Sequence, residues 1–184
     1  MPFPKTWAEE LIIEWLHLDS FVVEANLPVT ALSRGGRCEV DVVGARVRDE
    51  KLEILHIETG LLAGGKGSIE SVKNKFRKDI DDALAEHFKK RLSLSKADVK
   101  HDRLYVATFS TQPTIDGIEN SGITVLNLLD FIKKRVLPTI KEWKKTPPTL
   151  SKNIGKIVTL PECHWLLQML DYMWNKELLN YQDP

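Results

Sequence analysis

Two carboxylates set within apolar stretches give this sequence its clearest candidates for chemistry. Asp41 lies between Val40 and Val42, and Glu58 follows the largely apolar run 54–57. A charged side chain is costly to bury without a partner, and two carboxylates held close together repel unless a cation or a proton lies between them. A divalent metal with oxygen ligands would satisfy both. The alternative is that each carboxylate ends its strand at the surface, where water solvates it.

A histidine shares the strand face of Glu58. His56 precedes Glu58 by two residues, and side chains two apart on a strand point to the same side. Because an imidazole ordinarily titrates near neutrality, His56 is a candidate metal ligand or catalytic base. An acid–base enzyme that uses His56 and Glu58 on a small substrate would require a deep pocket over this strand. The alternative for His56 is a hydrogen-bonded core histidine.

The stretch between the two carboxylates predicts a β-hairpin. Residues 37–48 alternate as a long strand, residues 48–51 form a polar turn, and residues 52–59 form the next strand. Asp41 and Glu58 each lie about eight residues from the turn. Antiparallel pairing would therefore bring the two carboxylates nearly opposite each other.

The remaining pattern predicts an α/β fold. Three strands joined by short turns form an antiparallel meander, and a helical crossover then adds a parallel strand, which gives a mixed sheet flanked by helices. A last helix, apolar on several sides, is expected to pack on the core or in a homodimer interface. The predicted elements are a helix from Thr6, strands over 21–29, 37–48 and 52–59, a long helix from Ser68 to Leu92, a strand over 103–109, a loop holding Pro113 and Gly117, a strand over 122–126, a helix from Leu128 to Trp143 interrupted at Pro138, a loop over 149–158, and a helix from Thr159 to about Leu179.

Length and composition favour one globular domain. The chain has 184 residues, a formal net charge of +0 and a hydrophobic fraction of 42%, which suits a single domain with a sizeable core. We predict one domain over 1–184, with a core over 1–146 and a helical C-terminal extension over 147–184. No apolar run approaches the ~20 residues of a membrane helix, and the N-terminal residues lack the layout of a signal peptide. A cytoplasmic protein without membrane contact is therefore expected.

The segments around the two carboxylates resemble a known nuclease core. Residues 36–43, the hairpin and residues 54–60 are similar to the PD-(D/E)xK, or restriction-endonuclease-like, superfamily, which includes archaeal Holliday junction resolvases. The first helix resembles that of resolvase-like members, in which a helical glutamate, here Glu9 or Glu10, completes the acidic cluster. The resemblance extends over roughly residues 6–136. It implies a restriction-endonuclease-like mixed sheet, Mg²⁺ or Mn²⁺ held by Asp41, Glu58 and Glu9, and hydrolysis of phosphodiester bonds in nucleic acid, with DNA favoured.

The sequence departs from this family at one position. Members carry a lysine two residues after the glutamate, and this chain has Gly60 there. In the family that lysine orients or deprotonates the attacking water and offsets the phosphate charge. Some members recruit a lysine from the following loop or helix, for which Lys66 and Lys73 are the candidates here; a solvated lysine is the alternative for Lys73. The rival hypothesis is a catalytically inactive nuclease-fold module that binds nucleic acid or a protein partner.

A basic stripe toward the C-terminus is the candidate surface for nucleic acid. Five lysines fall on about a third of the predicted helix circumference, opposite an apolar stripe. Positive charge without base readout suits contact with a phosphate backbone. A solvated amphipathic helix is the alternative. The predicted nucleic-acid contacts are Lys66 in the glycine-rich loop, Lys73, and the stripe lysines Lys133, Lys134, Lys141, Lys144 and Lys145.

Overall fold

A computed structural model describes residues 5–29, 38–62, 64–145 and 160–178. Five strands form one sheet in the order of the chain. The predicted boundary at 146 and 147 and the predicted loop over 149–158 lie outside the described residues. The strands are β1 (Val22–Val29), β2 (Cys38–Arg48), β3 (Lys51–Leu61), β4 (Val99–Phe109) and β5 (Thr124–Asn127); the helices are α1 (Trp7–Leu18), α2 (Lys66–Lys75), α3 (Lys78–Arg91), α4 (Gln112–Glu119), α5 (Leu128–Phe131), α6 (Leu137–Lys145) and α7 (Trp165–Asn175).

The sheet is mixed, as the sequence predicted. Strands β1, β2 and β3 pair antiparallel, whereas β4 pairs parallel to β3, and β5 pairs parallel to β4. The parallel steps need long crossovers, which α2 with α3 and then α4 supply. The α/β class, with a mixed sheet flanked by helices, is therefore confirmed. None of the helices within the described ranges is long and apolar enough to cross a membrane.

The two faces of the sheet carry different helices. On one face, Leu55 and Ile57 of β3 join a core with α1, α6 and α7. On the other face, Leu52 and Ile54 pack with α3, and Tyr105 of β4 packs with α2 and α4. Because strand side chains alternate between faces, His56 and Glu58 point toward the side of α2 and α3.

The predicted long helix from Ser68 to Leu92 is two helices. Helix α2 ends at Lys75 and α3 begins at Lys78, because Arg77 adopts an extended backbone with ψ of 154°. Apolar residues continue at a spacing of four across the break at Val72, Phe76 and Ile80, since both helices cover the same side of the sheet. Ser68 is not the cap: Gly65 precedes the first turn, and the Ser68 hydroxyl donates to the Gly64 carbonyl.

The predicted loop around Pro113 and Gly117 is a helix, α4. Pro113 lies in its first turn, where a missing backbone N–H costs nothing. Gly117 permits close contact between α4 and α2, since a Cβ at this position would lie 2.6 Å from the Ile69 Cδ1 atom. A proline in a first turn, preceded by Thr111, is the sequence signal that predicts this helix start.

The helices near the C-terminus also differ from the prediction. The chain from Leu128 to Lys145 stays helical past Pro138 through a π-turn over Ile132–Val136. A proline cannot donate the usual helical hydrogen bond, and such a π-turn is one way in which a helix adjusts locally. Helix α7 begins at Trp165 rather than at the predicted Thr159, which lies outside the described residues. It packs on the core with α1.

Candidate active site

The hairpin brings Asp41 and Glu58 together on the face covered by α2. Val42 pairs with Ile57, so the next position outward along each strand places the carboxylates side by side. The Asp41 backbone N–H donates to Glu58 Oε1 at 3.3 Å, and the Thr59 N–H donates to Asp41 Oδ2 at 3.1 Å. Each carboxylate is thus held by the backbone of the other strand.

Lys75, the last residue of α2, completes the group. Its ammonium contacts Glu58 Oε2 and lies 3.4 Å from Asp41 Oδ2. The sequence prediction named Lys73 for this role, but residues two apart on a helix point about 200° away from each other. Lys66 is exposed at the start of α2. The helix break after Lys75 is therefore what places a lysine beside the pair.

Tyr105 explains why residue 60 carries no side chain. Glu58 pairs with Tyr105 across β3 and β4, and the phenol oxygen lies 2.9 Å from where a Cβ of residue 60 would be. That separation is shorter than real Cβ contacts allow. The phenol therefore fills the space that a lysine at Gly60 would need, and the lysine reaches the carboxylates from α2 instead.

The charges of the three groups are strongly coupled. Burial, followed by the negative charge of Glu58, raises the pKa of Asp41 to about 6. Burial would also raise the pKa of Glu58, but His56 and Lys75 together hold it below its usual value. The two carboxylates raise the pKa of Lys75 despite the burial that opposes this. At neutral pH the group therefore holds a protonated lysine, an ionised Glu58, and an Asp41 that retains an unusual affinity for a proton.

His56 lies beneath Glu58 and has no exposed surface. Its Nε2 atom is 3.0 Å from Glu58 Oε1, and the Phe76 ring lies over it at 4.5 Å between centroids. Burial lowers the pKa of His56, but the carboxylates of Asp81 and Glu58 outweigh burial and raise it. The predicted role of His56 as a metal ligand or catalytic base stays a prediction, and a substrate would have no exposed surface of the ring to contact. His56 orients Glu58.

Glu9, the predicted third metal ligand, serves mainly as a helix cap. Its carboxylate accepts hydrogen bonds from the Lys5 backbone N–H at 2.7 Å and from the Thr6 hydroxyl at 3.3 Å. The pKa of the Lys5 side chain is raised by Glu39 and, to a lesser degree, by Glu9 and Asp41. The oxygens of Glu9 are thus engaged at the start of α1.

The basic stripe lies across the sheet from the carboxylates. Helix α6 packs with α1 and α7, whereas Lys75 approaches from the face of α2. Much of the stripe is also paired. Lys134 contacts Asp130 at 3.2 Å, Lys144 contacts Asp171 at 2.6 Å, Lys145 contacts Glu142 at 3.0 Å, and the Lys141 ammonium lies 5.0 Å from the Trp174 ring centroid.

A cavity of about 570 Å³ has lining residues from both faces of the sheet, including His101 and Arg103 of β4. Trp15, Arg46 and Arg135 are among the residues that line it. It contains neither Asp41 nor Glu58, and Arg46 is bound by Asp19 at 2.9 Å and by Glu53 at 2.8 Å. The acidic pair is instead reached from solvent beside Lys75, whose side chain is 37% exposed.

Sequence reasoning missed four residues around the pair: Lys75, Tyr105, Asp81 and His101. Alternation along β4 puts His101 and Tyr105 on the face of Glu58, but the predicted strand began two residues after His101. Asp81 lies seven residues, or about two helical turns, before the buried Phe88, so both side chains face the sheet from α3. A search for polar residues at core positions of the predicted helix would have found it.

Comparisons with known proteins assign no family to this chain. No family model matches the sequence, and no curated protein matches it. A solved structure described as a protein of unknown function, AF1548, is similar with a TM-score of 0.42 and 14% identity. The match covers 92% of this chain and 77% of that one.

Proposed function

We propose that this protein is a metal-dependent phosphodiester hydrolase that acts on nucleic acid, with DNA as the favoured substrate. The observation that carries the proposal is the contact of one ammonium, from Lys75, with both Asp41 and Glu58. Two carboxylates and a lysine at the end of a β-hairpin form the residue set of the PD-(D/E)xK nucleases that the sequence resembles. Here the lysine comes from a helix.

The carboxylate pair fits a hard divalent cation such as Mg²⁺ or Mn²⁺. Asp41 and Glu58 offer oxygen ligands, which these ions prefer. The raised pKa of Asp41 reflects burial and the charge of Glu58, and a bound cation would relieve both. When bound there, the metal would activate a water molecule and stabilise negative charge on the phosphate.

The residues around the pair have distinct tasks in this proposal. Glu58 is almost fully buried and is held by His56 and by the backbone of Asp41, so its oxygens keep a fixed direction. The Thr59 N–H orients Asp41 in the same way. Lys75 is partly exposed and protonated, so its ammonium can donate a hydrogen bond to a phosphate oxygen and offset the charge that develops there.

The rival hypothesis, a non-catalytic module, rested on the missing lysine at Gly60. Lys75 supplies an ammonium to the same two carboxylates, which removes the main reason to favour that hypothesis. Retention of a buried, mutually repelling acidic pair would also be costly in a protein that only binds a partner. The hydrolase proposal is therefore the stronger of the two.

A cleavage assay tests the proposal. Supercoiled plasmid and end-labelled branched DNA are incubated with the full chain in Mg²⁺, in Mn²⁺, or in EDTA, beside Glu58→Gln prepared identically. We expect metal-dependent cleavage by the parent and a loss of roughly 100-fold or more in the variant, which keeps the side-chain size but not the charge. Equal cleavage by both proteins, or no cleavage by the parent with any of these substrates, would contradict the proposal.

A further inference from the structure

A second group of polar side chains lies deeper in the fold than the carboxylate pair. We call His56, Asp81 and His101 the His–Asp–His cluster; they come from β3, α3 and β4. One ligand atom from each of these three residues lies within 4.8 Å of the other two. His56 is completely buried, and the exposed fractions of the Asp81 and His101 side chains are only 10% and 14%.

These three atoms face one another without hydrogen bonds. Asp81 Oδ1 is 3.1 Å from His101 Nε2 and 3.8 Å from His56 Nδ1, yet none of the three has a hydrogen-bond partner in the described part of the chain. A buried polar atom without a partner is costly, because it has lost its hydrogen bonds to water and gained none in the protein. Two ring nitrogens and one carboxylate oxygen, none with a hydrogen-bond partner among the described residues, therefore lie close together in the core.

Contacts on the outer side of the cluster fix its orientation. Arg103 binds the other oxygen of Asp81 through its Nε atom at 2.9 Å, which leaves Oδ1 directed inward. Glu58 binds the far nitrogen of His56 at 3.0 Å, which leaves Nδ1 directed inward. A carboxylate on the outer nitrogen of a metal-bound imidazole is a common arrangement, because it fixes the tautomer and the ring direction.

We propose that the His–Asp–His cluster binds a divalent transition metal, with Zn²⁺ as the best match. Two imidazoles and one carboxylate form a donor set that suits Zn²⁺ and disfavours Mg²⁺. Ligand atoms at about 2.0 Å from a tetrahedral Zn²⁺ lie about 3.3 Å from one another, and the observed separations of 3.1 Å and 3.8 Å bracket that spacing. Small side-chain movements would complete the geometry.

This metal would be separate from the cation proposed at Asp41 and Glu58, and a water molecule would complete its four ligands. It would join α3 to β3 and β4 through one ligand from each element. It would also fix the ring of His56 and, through that ring, the position of Glu58. The two proposals can fail separately, because Asp41 and Lys75 take no part in the cluster and zinc binding is measured without a cleavage assay.

Zinc titration of the chelator-stripped full chain tests the proposal. The parent is compared with His101→Gln and Asp81→Asn. The matched control is His87→Gln, because His87 of α3 lies outside the cluster and contacts Glu24 of β1. We expect one equivalent of Zn²⁺ to raise the melting temperature of the parent and of His87→Gln. In the two cluster variants we expect zinc affinity to fall by about 10-fold to 100-fold or more.

Two further measurements keep the proposal falsifiable if a cluster variant folds poorly. Co²⁺ added to the parent should give the intense visible absorption of a tetrahedral site, and Asp41→Asn should give the same spectrum. The proposal is overturned if His101→Gln binds Zn²⁺ as tightly as His87→Gln. It is likewise overturned if the parent fails to saturate with Zn²⁺ or gives only the weak spectrum of hydrated Co²⁺, which would leave a plain aspartate–histidine contact.

Discussion

At the residue scale, Tyr105 excludes a lysine side chain at position 60 from the acidic pair. Its phenol oxygen lies 2.9 Å from a Cβ built on Gly60, and the ring is fixed in the core between α2 and α4. A side chain at residue 60 would have to displace the ring or bend β3. The residue types at positions 60 and 105 are therefore coupled. With glycine at position 60, the ammonium beside the carboxylates comes from Lys75.

Substitution of Gly60 should reveal this coupling. We expect Gly60→Ala to lower the free energy of unfolding by about 1–3 kcal/mol, because the added methyl overpacks a filled space. The loss should be smaller when Tyr105→Phe removes the phenol oxygen. Gly67→Ala is the control: a Cβ there meets nothing within 4 Å in helix α2, so it should be stabilising by roughly 0.5–1 kcal/mol. Urea unfolding measures the parent, Gly60→Ala, Tyr105→Phe, the double variant and Gly67→Ala, and additive effects of the Gly60 and Tyr105 changes would contradict the coupling.

The raised pKa of Asp41 predicts how stability depends on pH. The folded-state pKa is about 6 against an ordinary value of 3.8, so the folded chain retains a proton that the unfolded chain loses. The stability that protonated Asp41 confers is complete below about pH 4 and is lost as the pH rises to about 6. In EDTA we expect Asp41→Asn, which cannot ionise, to raise the melting temperature at about pH 8 and to raise it less at about pH 4.5.

Calorimetry at the two pH values, with and without Mn²⁺, checks this prediction. Mn²⁺ should stabilise the parent at about pH 8 and reduce the advantage of the variant, since a bound cation replaces the proton. A larger gain in melting temperature for Asp41→Asn at about pH 4.5 than at about pH 8 would contradict the raised pKa of Asp41.

At the scale of elements, a buried glutamate connects the first helix to the last. Glu14 of α1 is 2% exposed, and its two oxygens accept the backbone N–H groups of Leu166 at 3.2 Å and Leu167 at 2.9 Å. These N–H groups belong to the first turn of α7, where no intrahelical partner exists. Burial raises the pKa of Glu14 even though the hydrogen bonds from α7 oppose this. Glu14 therefore caps α7 from another element.

Removal of this carboxylate should weaken the attachment of α7. We expect Glu14→Ala to lower the free energy of unfolding by about 1–3 kcal/mol, because two buried N–H groups lose their acceptor. Hydrogen exchange should show faster opening of α7 than of the central strands. Glu86→Ala, on the exposed side of α3, is the control and should change stability by at most about 0.5 kcal/mol. Equal exchange in α7 of the parent and Glu14→Ala would rule out the capping role.

The elements show which parts of the structure the sequence could predict. The turn at Asp49 and Glu50 and the alternation on both sides of it are local signals, so the register that brings Asp41 beside Glu58 could be counted. Lys75 could not be found in this way. The apolar spacing from Val72 to Ile80 continues through the helix break, so no periodicity in the sequence marks the end of α2 at Lys75. The His–Asp–His cluster likewise requires three elements to meet, which no local pattern shows.

At the scale of the whole molecule, the sheet separates the acidic pair from the basic stripe. The acidic pair and Lys75 lie on the side of α2, α3 and α4, whereas the lysines of α6 lie on the side of α1 and α7. Two lysines of α6, Lys144 and Lys145, are paired with acidic neighbours, as is Lys134 in the π-turn before it. A duplex bound at the acidic pair would therefore contact α2 and would lie across the sheet from α6.

The predicted role of the basic stripe in binding can be tested directly. We expect the double variant Lys133→Gln with Lys141→Gln to retain DNA cleavage within about twofold and to leave the salt dependence of binding nearly unchanged, because neither lysine neutralises a bound phosphate. Filter binding at several salt concentrations and the cleavage assay provide the two readouts. A steep loss of both would place the nucleic acid on α6 and would restore the prediction made from the sequence.

The central claim is that Lys75 joins Asp41 and Glu58 in one hydrolytic site. The most direct test compares the cleavage rates of Lys75→Gln and Lys73→Gln, two identical substitutions two residues apart on α2, in saturating Mn²⁺. The claim predicts a fall of roughly 100-fold or more for Lys75→Gln and a change of less than about threefold for Lys73→Gln. Equal rates for the two variants, or a greater loss for Lys73→Gln, would contradict it.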